Sequence, residues 1–388
     1  MRKFIIFVFL FFSFFFINAQ EAISFQQIDS ITETYYLQGK WNELILKGNE
    51  AINQQIDYKK LRQRMGYAYF AKSDFHSAQH QYEKALTYDE SDSETQTYLY
   101  YTALNIGENG NIQYRASKLD KNIQKSFGLK SFKILNSADA EYNYKINDES
   151  QGIRSNPSYY RLGVSSQLGY RLYLYQAISQ YTQTVNKTTQ TVQNEYYGLL
   201  SWIVSSHSTL NVGYHYVNTI DQTNSFKGNM FFGKFTSNVN RFNYGANTSI
   251  LSNLTNKYYQ VGIFGGVNLP GTKHVYLKSS LNCLVDSISS HFIFSQSVGM
   301  QLFQPLWIEG SVTLGNLKNY NDNDGLYLYN SLDATTFRTG LSLFYLIGKN
   351  ITLVGNYTYD IKEIASSISN TNTNYNQHSL SGGIIWKI

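Results

Sequence analysis

Residues Phe337 to Asp360 read FRTGLSLFYLIGKNITLVGNYTYD, and the spacing of the apolar side chains in this stretch decides the fold class. Phe337, Leu341, Leu343 and Tyr345 alternate with Arg338, Ser342 and Phe344. After a break at Gly348-Lys349-Asn350, Ile351, Leu353, Tyr357 and Tyr359 alternate with Thr352, Asn356 and Asp360. Neighbouring side chains of an extended strand point to opposite faces, so a period of two predicts two paired strands joined by a tight turn, each with a greasy face and a wet one.

The same pattern continues upstream. Leu277, Leu281, Cys283 and Val285 share a face opposite Tyr276, Lys278, Ser280 and Asn282, and Leu306, Ile308, Val312 and Leu314 oppose Trp307, Glu309, Ser311 and Thr313. From residue 131 to residue 388 the sequence divides into about fourteen such arms, twelve to sixteen being allowed by the spacing. The weakest, 226–235, reads FKGNMFFGKF, and parity fails without it. Sandwiches and propellers alternate too, but their strands average about five or six residues, shorter than these arms. Apolar residues toward lipid and polar ones toward a lumen form the dyad pattern of an antiparallel transmembrane β-barrel. Such a sheet must close, because an open edge in hydrocarbon leaves N–H and C=O groups unpaired. Tight breaks at Gly169, Ser205-Ser206-His207, Gln304-Pro305 and Gly348-Lys349-Asn350 are expected on the inner side. The longer connections, Lys318 to Ala334 and Lys362 to Asn374, are expected outside. The last arm ends HSLSGGIIWKI, with Trp386 and Ile388 on its apolar face. It resembles the terminal signal read by the barrel-assembly machinery, a partner expected during insertion into outer-membrane lipid.

Composition agrees. Charged residues are 15% of the chain, below the roughly 25% of soluble proteins, while 34 Tyr and 27 Gly supply uncharged polarity and small packing units. A net charge of +5 gives no reason to expect nucleic acid.

The opening MRKFIIFVFLFFSFFFINAQ joins Arg2 and Lys3 to an apolar run and the small Ala19. That run is shorter than the roughly 20 residues a membrane-spanning helix needs, so residues 1–19 are expected to be a cleaved secretory signal. With one cysteine, Cys283, the chain forms no internal disulfide.

Between residues 20 and 130 the period is helical, with self-similarity at about 34 residues. Tyr35, Gly39, Trp41 and Ala51 recur as Tyr69, Ser73, Phe75 and Ala85, and more weakly as Ala103 and Gly107; Gly66, Ala78 and Tyr82 complete the central copy. This segment resembles the tetratricopeptide (TPR) family. The resemblance implies stacked helix-turn-helix pairs with Tyr35, Gly39, Trp41, Ala51, Gly66, Tyr69, Ala78, Tyr82 and Ala85 in the packing, and a concave face for a periplasmic protein or peptide. The expected organisation is therefore α + β in two domains, 20–130 in the periplasm and 131–388 in the outer membrane. Signal, repeats and barrel together resemble the YaiO-like outer-membrane proteins and, more distantly, the exopolysaccharide exporters. That implies transport or export, with surface polysaccharide as one cargo; a non-transporting structural or surface-anchoring barrel and a lipid-modifying enzyme stand as alternatives.

Catalytic chemistry is not legible. His76 and His80 lie four apart on a helix without a third ligand, so a solvated face outweighs a metal site. His215 is expected to point inward, and no nucleophile partners it by spacing. No enzyme activity and no cofactor is expected. Arg161, Arg171, Arg241, Lys278, Glu309, Arg338 and Asp360 are expected in the lumen, where mixed charges either line a path for anionic solutes or pair across a plugged interior.

Overall fold

The structure, a computed structural model, describes residues 24–148, 154–221, 224–253, 256–269, 271, 273–364 and 374–388. The expected leader, 1–19, and part of the Lys362 to Asn374 connection lie outside these residues. The chain divides into two compact units, one ending at Glu108 and taking in Lys118–Asp120, the other formed by 109–117 and 121–388.

In the first unit, helices α1 (Phe25–Leu37), α2 (Trp41–Asn53), α3 (Lys59–Ala71), α4 (Phe75–Leu86) and α5 (Ser93–Ile106) follow one another in short-linked succession. Polar caps fix their starts: Ser24 forms a capping box with Gln27, and the Asp74 and Asp92 carboxylates accept from the Ser77 and Thr95 amides. Gly39, Ser73 and Gly107 sit at equivalent turn positions, all with left-handed φ of 67°, 62° and 83°. A repeat of about 34 residues is thus written into the backbone. Ala51, Ala78, Ala85, Leu44, Leu61 and Met65 are fully buried. Gly66 is required by its neighbour, since a Cβ there would stand 2.8 Å from the Tyr82 ring.

Buried arginines tie these helices together. Arg62 grips Asp57 with two hydrogen bonds of 2.7 and 2.6 Å and reaches Gln81 at 2.7 Å; Arg64 bonds Asp29 at 2.6 Å. The Arg62 fork holds the Asp57 carboxyl below the usual carboxylate range. Burial pushes the Tyr58 hydroxyl up to about 12.

In the second unit, helices α6 (Asn109–Ala116) and α7 (Lys121–Ser126) precede the sheet. Its strands are β1 (Lys133–Asn147), β2 (Ser158–Gly169), β3 (Leu172–Val185), β4 (Thr189–Ile203), β5 (Ser208–Asp221), β6 (Asn224–Val239) and β7 (Phe242–Asn253). They continue as β8 (Lys257–Asn268), β9 (Tyr276–Val285), β10 (Ser290–Phe303), β11 (Leu306–Leu314), β14 (Ala334–Ile347), β15 (Ile351–Glu363) and β16 (Asn374–Lys387). A separate two-stranded hairpin, β12 (Asn321–Asp322) with β13 (Tyr327–Leu328), lies between β11 and β14. The fourteen long strands form one closed antiparallel barrel, with β16 pairing both β15 and β1. The least regular arm of the sequence is the sixteen-residue β6.

The opening stretch forms β14 and β15, with Arg338 opposite Asp360 and Leu341 opposite Tyr357. Leu162, Val212, Phe231, Val261, Ile263, Phe292, Val298, Leu341 and Leu380 stand exposed on the outer face. Gln193, His215, Ser249, Gln260, Asn282, Asp360 and Gln377 are buried on the inner one. Tyr142, Tyr160, Tyr196, Tyr259, Tyr345, Tyr357 and Trp386 place amphipathic rings among the exposed residues, as interfaces between hydrocarbon and water favour. No helix among the described residues is long and apolar enough to cross a membrane. Because the strand number is even, β1 enters and β16 leaves at the same end, together with the tight turns 170–171, 204–207, 240–241, 304–305 and 348–350.

Candidate functional site

The barrel is wide enough that wall side chains alone leave space at its centre, and residues 315–333 occupy that space. The sequence places this connection outside; the structure folds it into the lumen instead. The physical reason is a set of hydrogen bonds that only the closed wall offers. Asn321 is held by Gln260, whose Oε1 accepts from the Asn321 backbone at 3.1 Å and side chain at 2.8 Å while its Nε2 donates to the Asn321 carbonyl at 3.2 Å. Ser249 bonds the same amide group, and Asn282 donates to the Tyr320 hydroxyl at 3.3 Å. A strand residue without a Cβ makes this fit: at Gly262 a Cβ would collide with the Asn282 side chain.

The tip is gripped from three strands. Tyr197 donates to the Asp324 carbonyl at 2.7 Å, Lys234 Nζ reaches the Asp324 carboxylate at 2.6 Å, and His215 Nδ1 donates to the Gly325 carbonyl at 2.8 Å. Gly325 has φ of 81°, a left-handed conformation that costs other residues energy. Farther along, Tyr327 donates to Glu141 at 2.6 Å, Asn330 to Gln193 at 2.8 Å, and Asp333 takes two bonds from Arg154 at 2.7 and 3.0 Å and one from Tyr375 at 3.1 Å. Apolar anchors supplement these: Leu317 and Tyr320 pack on Leu284 and Ile293, and Leu326 on Ala177 and Tyr197.

Several wall charges are paired, while Lys145 lies over the Tyr181 ring and Lys362 donates to the Ser331 hydroxyl at 3.4 Å. Arg161 bridges Asp139 at 2.7 Å and Glu141 at 3.0 Å, Arg338 meets Asp360 at 2.9 Å, and Lys278 lies 3.6 Å from Glu309. In a low-dielectric interior a charge without an opposite charge or hydrogen-bonding partner is costly. Arg161, Lys278, Glu309, Arg338 and Asp360 therefore stand on the inner face, whereas Arg171 and Arg241, also expected there, do not. They fall on the turns 170–171 and 240–241, where strand alternation no longer dictates direction; Arg171 caps the carbonyls of Ile203 and Val204 at 2.7 and 2.6 Å and covers the Tyr114 and Trp202 rings.

Strand alternation places Lys234, Gln260 and Glu141 inward, but nothing local marks them as holding a distant loop. The one sequence signal for the loop itself is the run Asn321-Asp322-Asn323-Asp324-Gly325, rich in residues that favour turns. His215 is almost fully buried, with Nε2 at 3.4 Å from Glu195. His291 Nε2 lies 3.0 Å from the Ser289 hydroxyl, but Asp286 bonds Ser289 and not the imidazole, so the trio is a capped turn and lacks the relay of a hydrolase. His76 and His80 are both exposed, and among the described residues no group of three or more His, Cys, Asp or Glu could hold a metal. Cys283 faces outward among the lipid-side residues of β9. Trp386 stands opposite Ala138 and Ile351, and so takes part in closing the cylinder.

No family model matches the chain, and no curated protein matches it. Among solved structures it is similar to a bacterial polysaccharide outer membrane secretin, at 9% identity and a TM-score of 0.40 over 66% of this chain and 99% of that one. It is similar also to the Pseudomonas putida toluene transporter TodX, at 6% identity and 0.43 over 66% and 90%. A Pseudomonas aeruginosa FadL homologue follows, at 8% identity and 0.42 over 71% and 92%. Likenesses this faint decide nothing about cargo; by its own strand pairing the chain is a fourteen-strand transmembrane β-barrel preceded by helices.

Proposed function

We propose that this protein is an outer-membrane transport or export barrel whose passage is controlled by the segment 315–333, with its helical repeats in the periplasm as a docking module for a protein or peptide. The outer membrane is the home of closed barrels with an apolar exterior, and short turns characteristically face the periplasm. The observation that carries the reading is the origin of the obstruction. The inner face is largely polar, and what fills it is a single connection, covalently continuous with the wall only at its two ends, after β11 and before β14, and otherwise held by hydrogen bonds, an ion pair and packing. An anchoring barrel has no need of a removable centre.

Docking through the helices is supported by a row of half-buried rings on α1, α2, α3 and α5: Tyr36 to Tyr67 at 5.3 Å, Trp41 to Tyr67 at 5.5 Å and Tyr67 to Tyr98 at 5.7 Å. Rings with one face free offer a partner large apolar area at small entropic cost.

Planar-bilayer recording of the full-length chain tests the transport reading. Replacing residues 318–331 by a short Gly-Ser link is expected to give large, steady conductance where the wild type shows small or rare openings. Silence of a correctly inserted, heat-modifiable variant would make the protein an anchor.

A further inference from the structure

We propose that a shelf on the lumenal wall, built from His274, Tyr276 and Trp307 with Lys278 and Glu309 at its rim, binds a neutral pyranose ring of an oligosaccharide chain. The inference rests on the transport reading for its purpose, but its geometry stands apart. Gly299 is opposite Tyr276 on β9 and opposite Glu309 on β11, so these positions lie level across three adjacent strands. Lacking a Cβ, Gly299 lets the Tyr276 ring lie against the wall; a Cβ there would come 2.6 Å from Cε1 of that ring.

The rings continue sideways as one surface. Tyr276 and Trp307 are 6.4 Å apart and inclined at 33°, and His274 and Trp307 are 6.0 Å apart at the same inclination. Three rings tilted by such small angles make a shallow curved platform, unlike the edge-on clusters that fill cores. At its border the Tyr276 hydroxyl donates to Glu309 at 2.6 Å, and Lys278 Nζ lies over the Tyr276 ring, 4.6 Å from its centre and 3.6 Å from Glu309, so Tyr276 props the ammonium and stacking falls to Trp307. Lys278 is 63% exposed, so its remaining donors face the lumen. The described hydrogen bonds of 315–333 go to other wall residues.

This chemistry selects its ligand. The face of a pyranose carries C–H groups of slight positive charge that suit the negative face of an aromatic ring, and its rim carries hydroxyls that need both a donor and an acceptor. Lys278 and Glu309 supply one of each and cancel in charge, so an anionic sugar gains nothing here. A purely apolar ring would leave both charges desolvated without compensation.

Saturation-transfer NMR of the full-length protein in micelles, with maltohexaose and cellohexaose as probes, tests this. Transfer to ring C–H protons is expected for at least one probe. Trp307→Ala and Tyr276→Leu are each expected to weaken it about tenfold, while Trp307→Phe keeps most of it and the lipid-facing Trp202→Ala leaves it unchanged. Heat-shifted gel mobility checks that each variant has folded. The proposal is overturned by absence of transfer from both neutral probes, by wild-type binding in Trp307→Ala and Tyr276→Leu, or by preference for a uronate oligosaccharide or p-cresol. Conductance of the loop-replaced variant without sugar binding would sink the shelf alone, whereas sugar binding without conductance would sink the transport reading.

Discussion

Lys234 on β6 and Asp324 at the tip of the inward-folded segment form a 2.6 Å ion pair between residues 90 positions apart, inside the barrel. The pair is partly buried, with side-chain exposures of 22% and 29%, and Asn211 also approaches the Asp324 carboxylate, at 3.5 Å. Removing one partner leaves the other charge half-desolvated, which costs more than the pair itself contributes. Lys234→Met is expected to raise hydrogen exchange of the amides in 318–331 about tenfold or more, with strand amides unaffected. Unchanged exchange would mean that the tip is held by its other contacts alone.

The left-handed conformation of Gly325 gives an independent handle on the same segment. A Cβ there would stand 2.7 Å from Met230 Cε, a flexible terminus that can move aside, so the main cost of Gly325→Ala is conformational, about 1–2 kcal/mol. The expected readout is faster exchange at 320–330. Gly310→Ala serves as control, since a Cβ at Gly310 meets nothing within 4 Å.

Leu341 and Ser342 are adjacent on β14 but face opposite media, and Ser342 stands opposite Glu309 across the strand pair. A lysine on the lipid face near the bilayer midplane costs about 2–4 kcal/mol, falling toward the interfaces. Leu341→Lys is therefore expected to lose up to that much in urea unfolding from lipid vesicles. Ser342→Lys should be nearly neutral, because its ammonium gains the Glu309 carboxylate. Equal losses for both would contradict the assigned faces.

In the helical unit, Asp57 links stability to pH. Hydrogen bonds from Arg62 lower its folded-state pKa beneath the unfolded value of about 3.9. A lowered carboxyl pKa stabilises the fold fully above the unfolded value, and the gain is lost as pH falls through the folded one. Solvent screening keeps it to about 1 kcal/mol or less. The first helical melting transition of the full-length chain, followed by circular dichroism, should thus fall as pH drops below about 4. Asp57→Asn should lower it at neutral pH and flatten the acid dependence; a variant as pH-sensitive as the wild type would assign the acid loss to other carboxylates.

Much of this architecture is legible in the order of residues. The alternation in Phe337 to Asp360 foretells the Arg338 and Asp360 pairing side and the turn at Gly348-Lys349-Asn350, because strand geometry repeats every two residues whatever the surroundings. Even FKGNMFFGKF, with its irregular pattern, becomes part of β6, because its neighbours β5 and β7 need a partner for their backbone groups. The turn equivalence of Gly39, Ser73 and Gly107 is likewise present in the spacing before any backbone angle is known. Alternation fails at Arg171 and Arg241, where the chain leaves the strand; the Arg171 side chain follows nearby carbonyls and rings instead.

Sequence by itself settled the faces, the strands and the helical character of the N-terminal segment, since each follows from periodicities of 2.0 and 3.6 residues fixed by covalent geometry. Tertiary structure alone decided that residues 315–333 turn inward. Tyr327 and Glu141, 186 positions apart, share a hydrogen bond, and Arg154 and Asp333 meet across 179. Partners so distant become neighbours only when β16 joins β1, and no local pattern could carry that information.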